Sequence, residues 1–121
     1  MNVLLICLGG ALGCLSRYGI AVAFGGLSGL PWSTLIVNVA GSLALGALAG
    51  VLPQAGVHAD AVRAFAVIGF CGGFTTFSTF SYETFRLFED GRFALAAAYV
   101  LVSALAGFAA VALGWSLTKS A

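Results

Sequence analysis

The chain has 121 residues, 61% of them hydrophobic and only 7% charged, with a mean hydropathy of +1.10. A soluble domain carries about 25% charged residues, so five Lys and Arg with four Asp and Glu cannot cover a water-facing surface, and the composition reads as an integral membrane protein. A formal net charge of +1 excludes the basic footprint of a nucleic-acid binder, and three cysteines, Cys7, Cys14 and Cys71, all inside apolar segments, exclude a disulfide framework.

The first apolar segment covers about residues 2–24. No Lys or Arg precedes Arg17, whereas a secretory signal needs a basic start, so this segment is read as a retained span. Gly9 and Gly13 form a small-xxx-small pair, the spacing that lets helix backbones approach closely in lipid. Arg17 has two readings, a snorkelling interfacial anchor or an arginine facing a water-filled vestibule; by its cost in hydrocarbon it does not face lipid. Gly25 to Pro31 is a turn-forming linker.

Pro31 and Trp32 suit a helix start at the interface, and the second span is placed at about residues 32–52, ended by Pro53. Thr34, Asn38 and Ser42 follow at intervals of four, on one helical face, with Gly46 and Gly50 continuing the rail. Asn38 is either an interhelical hydrogen-bonding group or a donor lining a hydrated pathway, and the clustered hydroxyls elsewhere favour the second reading. His58 reads as a solvated loop residue.

The third segment, about residues 61–88, is the centre of the chain. As one straight helix it would be about 42 Å long, against a hydrocarbon core of about 30 Å. It contains Gly69, Gly72 and Gly73, and then Thr75, Thr76, Ser78, Thr79 and Ser81 interleaved with Phe74, Phe77 and Phe80. Each glycine weakens a helix by roughly 1 kcal/mol relative to alanine. Loosened backbone at membrane depth is tolerated only where protein buries it or a cavity runs beside it. The expectation is a helix broken by its glycine cluster, with strips of hydroxyls and rings along a polar pathway. Glu83 and Arg86 are spaced to pair at the helix end. The fourth span covers about residues 93–117, with Tyr99 and Ser103 on one face and Trp115 and Lys119 as interface anchors.

Four spans put both termini on one side. Arg63 and Lys119 fall on that side, and Arg86 and Arg92, with Arg17 if it emerges, fall on the other. The positive-inside rule then gives almost no orientation bias, and two copies inserted oppositely would form an antiparallel pair like the inverted repeats of larger transporters. No catalytic triad, metal-spaced Cys/His cluster or phosphate loop is present, so no enzyme is expected. Hydroxyls, an amide and the positive edges of phenyl rings suit a small, strongly hydrogen-bonding anion better than a cation, whose pathway shows carboxylates.

These residues also carry a resemblance. The run from Gly69 to Glu83, together with Gly9-Gly10, Gly13 and Arg17-Tyr18, and with Thr34-Leu35, Val37-Asn38 and Gly41-Ser42, resembles the motifs of the Fluc (CrcB) family of fluoride channels. The resemblance covers the first three spans well and the fourth loosely. It implies an all-α, dual-topology homodimer in the cell (inner) membrane, a multi-pass protein whose two antiparallel pores export fluoride passively. By the same resemblance Phe77 and Phe80 supply ring edges along the pores, Asn38 is a pore-lining donor, Ser78 and Thr79 form a polar track that Tyr99 and Ser103 extend, and Arg17 marks the vestibule. The carbonyls of Gly72 and Thr75, paired with the same two of the second copy, would hold a structural sodium ion. The runner-up is a small dual-topology four-helix drug/proton antiporter, which needs an ionisable residue in mid-span that the first segment lacks; a third class is a membrane assembly subunit that transports nothing.

Overall fold

The computed structural model describes residues 1–119, and every regular element among them is helical. Helix α1 (Asn2–Phe24) and α2 (Trp32–Val51) are the first two spans. The third comprises α3 (Ala59–Val62), a π-helical stretch (Arg63–Cys71), α4 (Gly72–Phe74) and α5 (Phe77–Glu89), and the fourth is α6 (Phe93–Thr118). The four long apolar helical stretches, Asn2–Phe24, Trp32–Gln54, Gly56–Glu89 and Phe93–Thr118, are each long enough to cross a membrane. The chain is a multi-pass membrane protein.

The connections follow from local chemistry. Pro31 precedes α2 with its carbonyl accepting from Leu35 N–H at 3.1 Å, and the Trp32 indole N–H donates to the Ser28 carbonyl across the same turn. Pro53 cannot continue α2, so the chain leaves through two short 3₁₀ turns, Leu52–Gln54 and Gly56–His58. Gly91, at φ 75°, ends α5 with Arg92 N–H donating to Leu87 O and Gly91 N–H to Phe88 O, the Schellman arrangement.

The helices pack as two pairs. α1 lies along the π-helical stretch and α4, and α2 lies along α6, with α5 closing against α6. Both pairs are glycine-to-backbone contacts. A methyl at Gly9 would overlap the Phe65 carbonyl oxygen, one at Gly13 the Phe70 carbonyl, and one at Gly46 the Val111 carbonyl. Thr118 Oγ1 adds a polar tie by donating to Ala47 O at 2.8 Å.

The third span is broken, but not at its glycines. Gly69 lies in the π-helical stretch and Gly72 and Gly73 lie in α4. Thr75 (φ −81°, ψ 158°) and Thr76 (φ −151°, ψ 113°) are the extended residues. Gly69 and Gly73 instead receive α1, since a methyl on either would meet the carbonyl of Ile6 or Gly10. Close packing overrides their weak helix propensity, and the break passes to the β-branched pair that follows.

Candidate functional site

Breaking a helix releases backbone groups that need new partners. Side chains from three spans supply them. Arg17, from α1, donates through Nε to the Gly73 carbonyl at 3.1 Å, a cation at the C-terminal end of the first half-helix, where the dipole favours it. Asn38, from α2, holds Thr76 twice: its Oδ1 accepts from Thr76 N–H at 2.8 Å, and its Nδ2 donates to Thr76 O at 3.1 Å. Thr76 in turn caps α5, its Oγ1 accepting from Thr79 N–H at 3.2 Å. Thr75 Oγ1 donates to Cys71 O at 2.8 Å.

Among the carbonyls freed at the break, two lose their usual donors to the side chains of Asn38 and Thr76. In an unbroken helix Gly72 O would accept from Thr76 N–H, and Thr75 O from Thr79 N–H. Asn38 takes the first N–H and Thr76 Oγ1 the second.

Beside the break lies an open groove of about 360 Å³, lined by Asn38, Ser42, Cys71, Gly72, Thr76 and Phe77 among others. Phe77 is 80% exposed, and its ring centroid is 5.9 Å from that of Phe80. Phe80 faces inward and packs on Tyr99, with ring centroids 5.0 Å apart. Gly72, Phe77 and Ser78 are all exposed on the single chain.

A smaller cavity, about 120 Å³, lies on another side of the break and is lined by Arg17, Ser33, Thr34, Thr76, Thr79 and Glu83. Glu83 is held there by two donors. Thr34 Oγ1–H donates to Oε1 and the Tyr99 hydroxyl to Oε2, each at 2.7 Å. The expected pairing of Glu83 with Arg86 is therefore replaced: both carboxyl oxygens turn inward to hydroxyls, while Arg86 is exposed at the helix end. A carboxyl between helices gains more from two short hydrogen bonds than from a solvated i,i+3 ion pair.

The residues singled out from sequence thus fall into three places. Asn38 and Phe77 share the groove with Gly72 and Thr75 at its wall. Arg17 and Thr79 line the smaller cavity, whereas Ser78 is exposed beside the groove's Phe77. Tyr99 is fully buried at 0% exposure behind Phe80, and Ser103 Oγ is buried without a hydrogen-bond partner among the described residues. Sequence reasoning missed Thr76 as the cap of α5, although a hydroxyl residue opening a helix is the signal for one. It also missed Glu83 as the shared acceptor of Thr34 and Tyr99, for which spacing carries no signal.

Replacing Tyr99 by Phe removes one of the two donors to Glu83 with little change in volume. Hydrogen bonds to a carboxyl group of this kind are worth about 1.5–3 kcal/mol, and a lowered thermal unfolding midpoint in detergent is the expected result. An unchanged midpoint would show that the Tyr99–Glu83 bond contributes nothing net.

Comparison with known proteins covers nearly the whole chain. The family described as CrcB-like protein, Camphor Resistance (CrcB), matches residues 4–115. A protein of Nitrobacter winogradskyi named Fluoride-specific ion channel FluC is 43% identical over 119 residues, covering 97% of this chain and 94% of that one. Proteins with the same name from Methylobacterium nodulans and Geobacter metallireducens are 48% identical over 112 residues and 47% identical over 117. They cover 92% and 94% of this chain, and 90% and 94% of their own lengths.

Proposed function

The chain belongs to the CrcB family, and from that membership and the geometry of its broken third span we propose that it is a fluoride-selective channel through which fluoride leaves the cell passively. Its relatives are bacterial proteins named as fluoride channels, and the cell membrane is where a multi-pass bacterial channel resides. The same membership sets aside the small antiporter.

One observation carries the reading: a groove at membrane depth walled by an amide, hydroxyls and an outward-turned phenyl ring, with the nearest carboxyl, Glu83, turned into a separate cavity. Fluoride holds its water tightly, and a path for it has to return what the water gave. Hydroxyl and amide N–H and O–H groups donate, and the electropositive rims of Phe77 and Phe80 add to them. Thr34 and Tyr99 hold the Glu83 carboxyl on the side of the smaller cavity.

The groove of one chain is open, and Gly72, Phe77 and Ser78 stand exposed beside it. A second copy in inverted orientation covers this face and completes two antiparallel pores. The even distribution of Arg63 and Lys119 against Arg86 and Arg92 permits both orientations. The donor set at the break also fits a sodium ion at the centre of such a pair. The carbonyls of Gly72 and Thr75 are the two whose helical donors are taken by Asn38 and Thr76, and unwound backbone carbonyls are cation ligands at membrane depth. Sodium held there would supply a fixed positive charge beside the break. Ser78 adds a hydroxyl beside the groove in this reading, Tyr99 backs the Phe80 ring, and Arg17 stands at the vestibule.

Purified protein in liposomes loaded with fluoride or chloride tests the proposal. Rapid fluoride efflux with little chloride efflux is expected, and tags at both ends of the chain should be found on both faces of the membrane. Equal passage of both halides, or none of either, would overturn it.

A further inference from the structure

Asn38 and Thr76 form a closed pair: one side-chain amide engages both the N–H and the C=O of a single residue. This has a conformational consequence. In a helix the N–H and C=O of one residue point to opposite ends of the axis, so no single amide reaches both. In an extended residue they point to the same side, as between facing strands. Thr76 has φ −151° and ψ 113°, so the clamp fits the broken form and is lost in the unbroken one.

We propose that Asn38 is a positioning residue for the cation site: its amide holds Thr76 extended and thereby keeps the carbonyls of Gly72 and Thr75 free. The inference rests on the sodium site described above. For Gly72 the link is direct, because Asn38 Oδ1 occupies the N–H that would return to Gly72 O. For Thr75 it runs through the cap. Thr76 Oγ1 accepts Thr79 N–H only while Thr76 has the extended backbone of an N-cap residue. Releasing the clamp lets the helix run through residues 72–79 and uses both carbonyls internally. An amide carries two N–H bonds, and Thr76 O takes one of them, so the second stays available to the groove and the two roles are compatible.

Asn38→Leu removes both bonds at similar size. Asn38→Asp keeps the acceptor for Thr76 N–H, loses the donor and adds negative charge. The readout is thermal unfolding of the purified dimer in detergent, in sodium chloride series balanced with N-methylglucamine chloride. For the unaltered protein, sodium is expected to raise the midpoint. For Asn38→Leu the sodium concentration giving half that rise should increase by about tenfold or more. Asn38→Asp should keep its response to sodium while losing fluoride efflux, since a carboxylate then faces the groove. An Asn38→Leu protein that keeps the normal sodium response but loses efflux would overturn the inference and leave the cation site standing. No sodium response in the unaltered protein would overturn both. Should Asn38→Leu fail to assemble, Asn38→Ala removes the same two bonds, and a normal sodium response in that variant would itself refute the clamp.

Discussion

Phe77→Ile and Phe80→Ile are both expected to reduce fluoride efflux from liposomes by about ten- to a hundredfold, and to differ in what else they change. Isoleucine fills much of the same space but has no ring, so the electropositive rim is lost while the apolar surface is kept. Each lost contact to an ion in a water-poor path is worth about 1.5–3 kcal/mol, and about 1.4 kcal/mol is a factor of ten in rate. Phe77 is 80% exposed on the single chain and touches its own chain little. Its replacement should lower efflux with almost no change in folding of the subunit. Phe80 is partly buried, with its ring centroid 5.0 Å from that of Tyr99. Its replacement should lower efflux and also destabilise, because it loosens the packing over the Tyr99–Glu83 hydrogen bond. Efflux at the normal rate in both variants would refute the roles given to the rings.

Asn38 was legible as a polar group within a span because an amide interrupts an apolar pattern visibly, whereas Phe77 and Phe80 are apolar themselves and were singled out by the hydroxyls beside them and by the family resemblance. Their partners were less legible. The glycine cluster at Gly69, Gly72 and Gly73 reads as a helix breaker from propensity alone, yet all three are helical and the break lies at Thr75–Thr76. Propensity is a local quantity, whereas the use of these glycines is set by α1 lying against them. The paired glycines Gly9 and Gly13 were read as contact points, and that spacing does meet a backbone neighbour. No sequence pattern states which neighbour it is.

Glu83 illustrates the same limit for charge. From spacing its nearest cation is Arg86, three residues on. Folding brings Thr34 from the second span and Tyr99 from the fourth to its two oxygens instead. The long-range pairings decide how the carboxyl is held, and they exist only once four helices are packed. Asn38 was read from its helical face as a donor toward a pathway in preference to an interhelical hydrogen-bonding group; it lines the groove, but both of its amide atoms hydrogen-bond across to the third span, the interhelical role. Its two hydrogen bonds to Thr76 depend on a backbone conformation that the sequence does not display.

Gly46→Ala and Gly19→Ala should change stability in opposite directions, and by their difference measure how this protein is held together. In lipid, apolar burial gives helices no drive to associate, so contact depends on close backbone packing. At Gly46 a methyl group would overlap the Val111 carbonyl of α6, and Gly114 presses back on Leu43 and Ala47 from the other side. Neither wall is a side chain that can turn away, so α2 and α6 must separate. Overpacking against a rigid neighbour costs about 1–3 kcal/mol or more, and it falls on the pair of spans that carry Asn38 and Tyr99. Loss of fluoride efflux should therefore accompany the loss of stability. Gly19 is also in a helix, but a methyl group there meets no atom within 4 Å. Alanine at that position removes only the glycine penalty and should stabilise the helix by up to about 1 kcal/mol. Thermal unfolding in detergent reads both. Equal effects would mean that helix propensity, and not the approach of backbones, governs the stability of the spans. A destabilised Gly46→Ala with a stabilised Gly19→Ala locates the holding force at the α2–α6 contact.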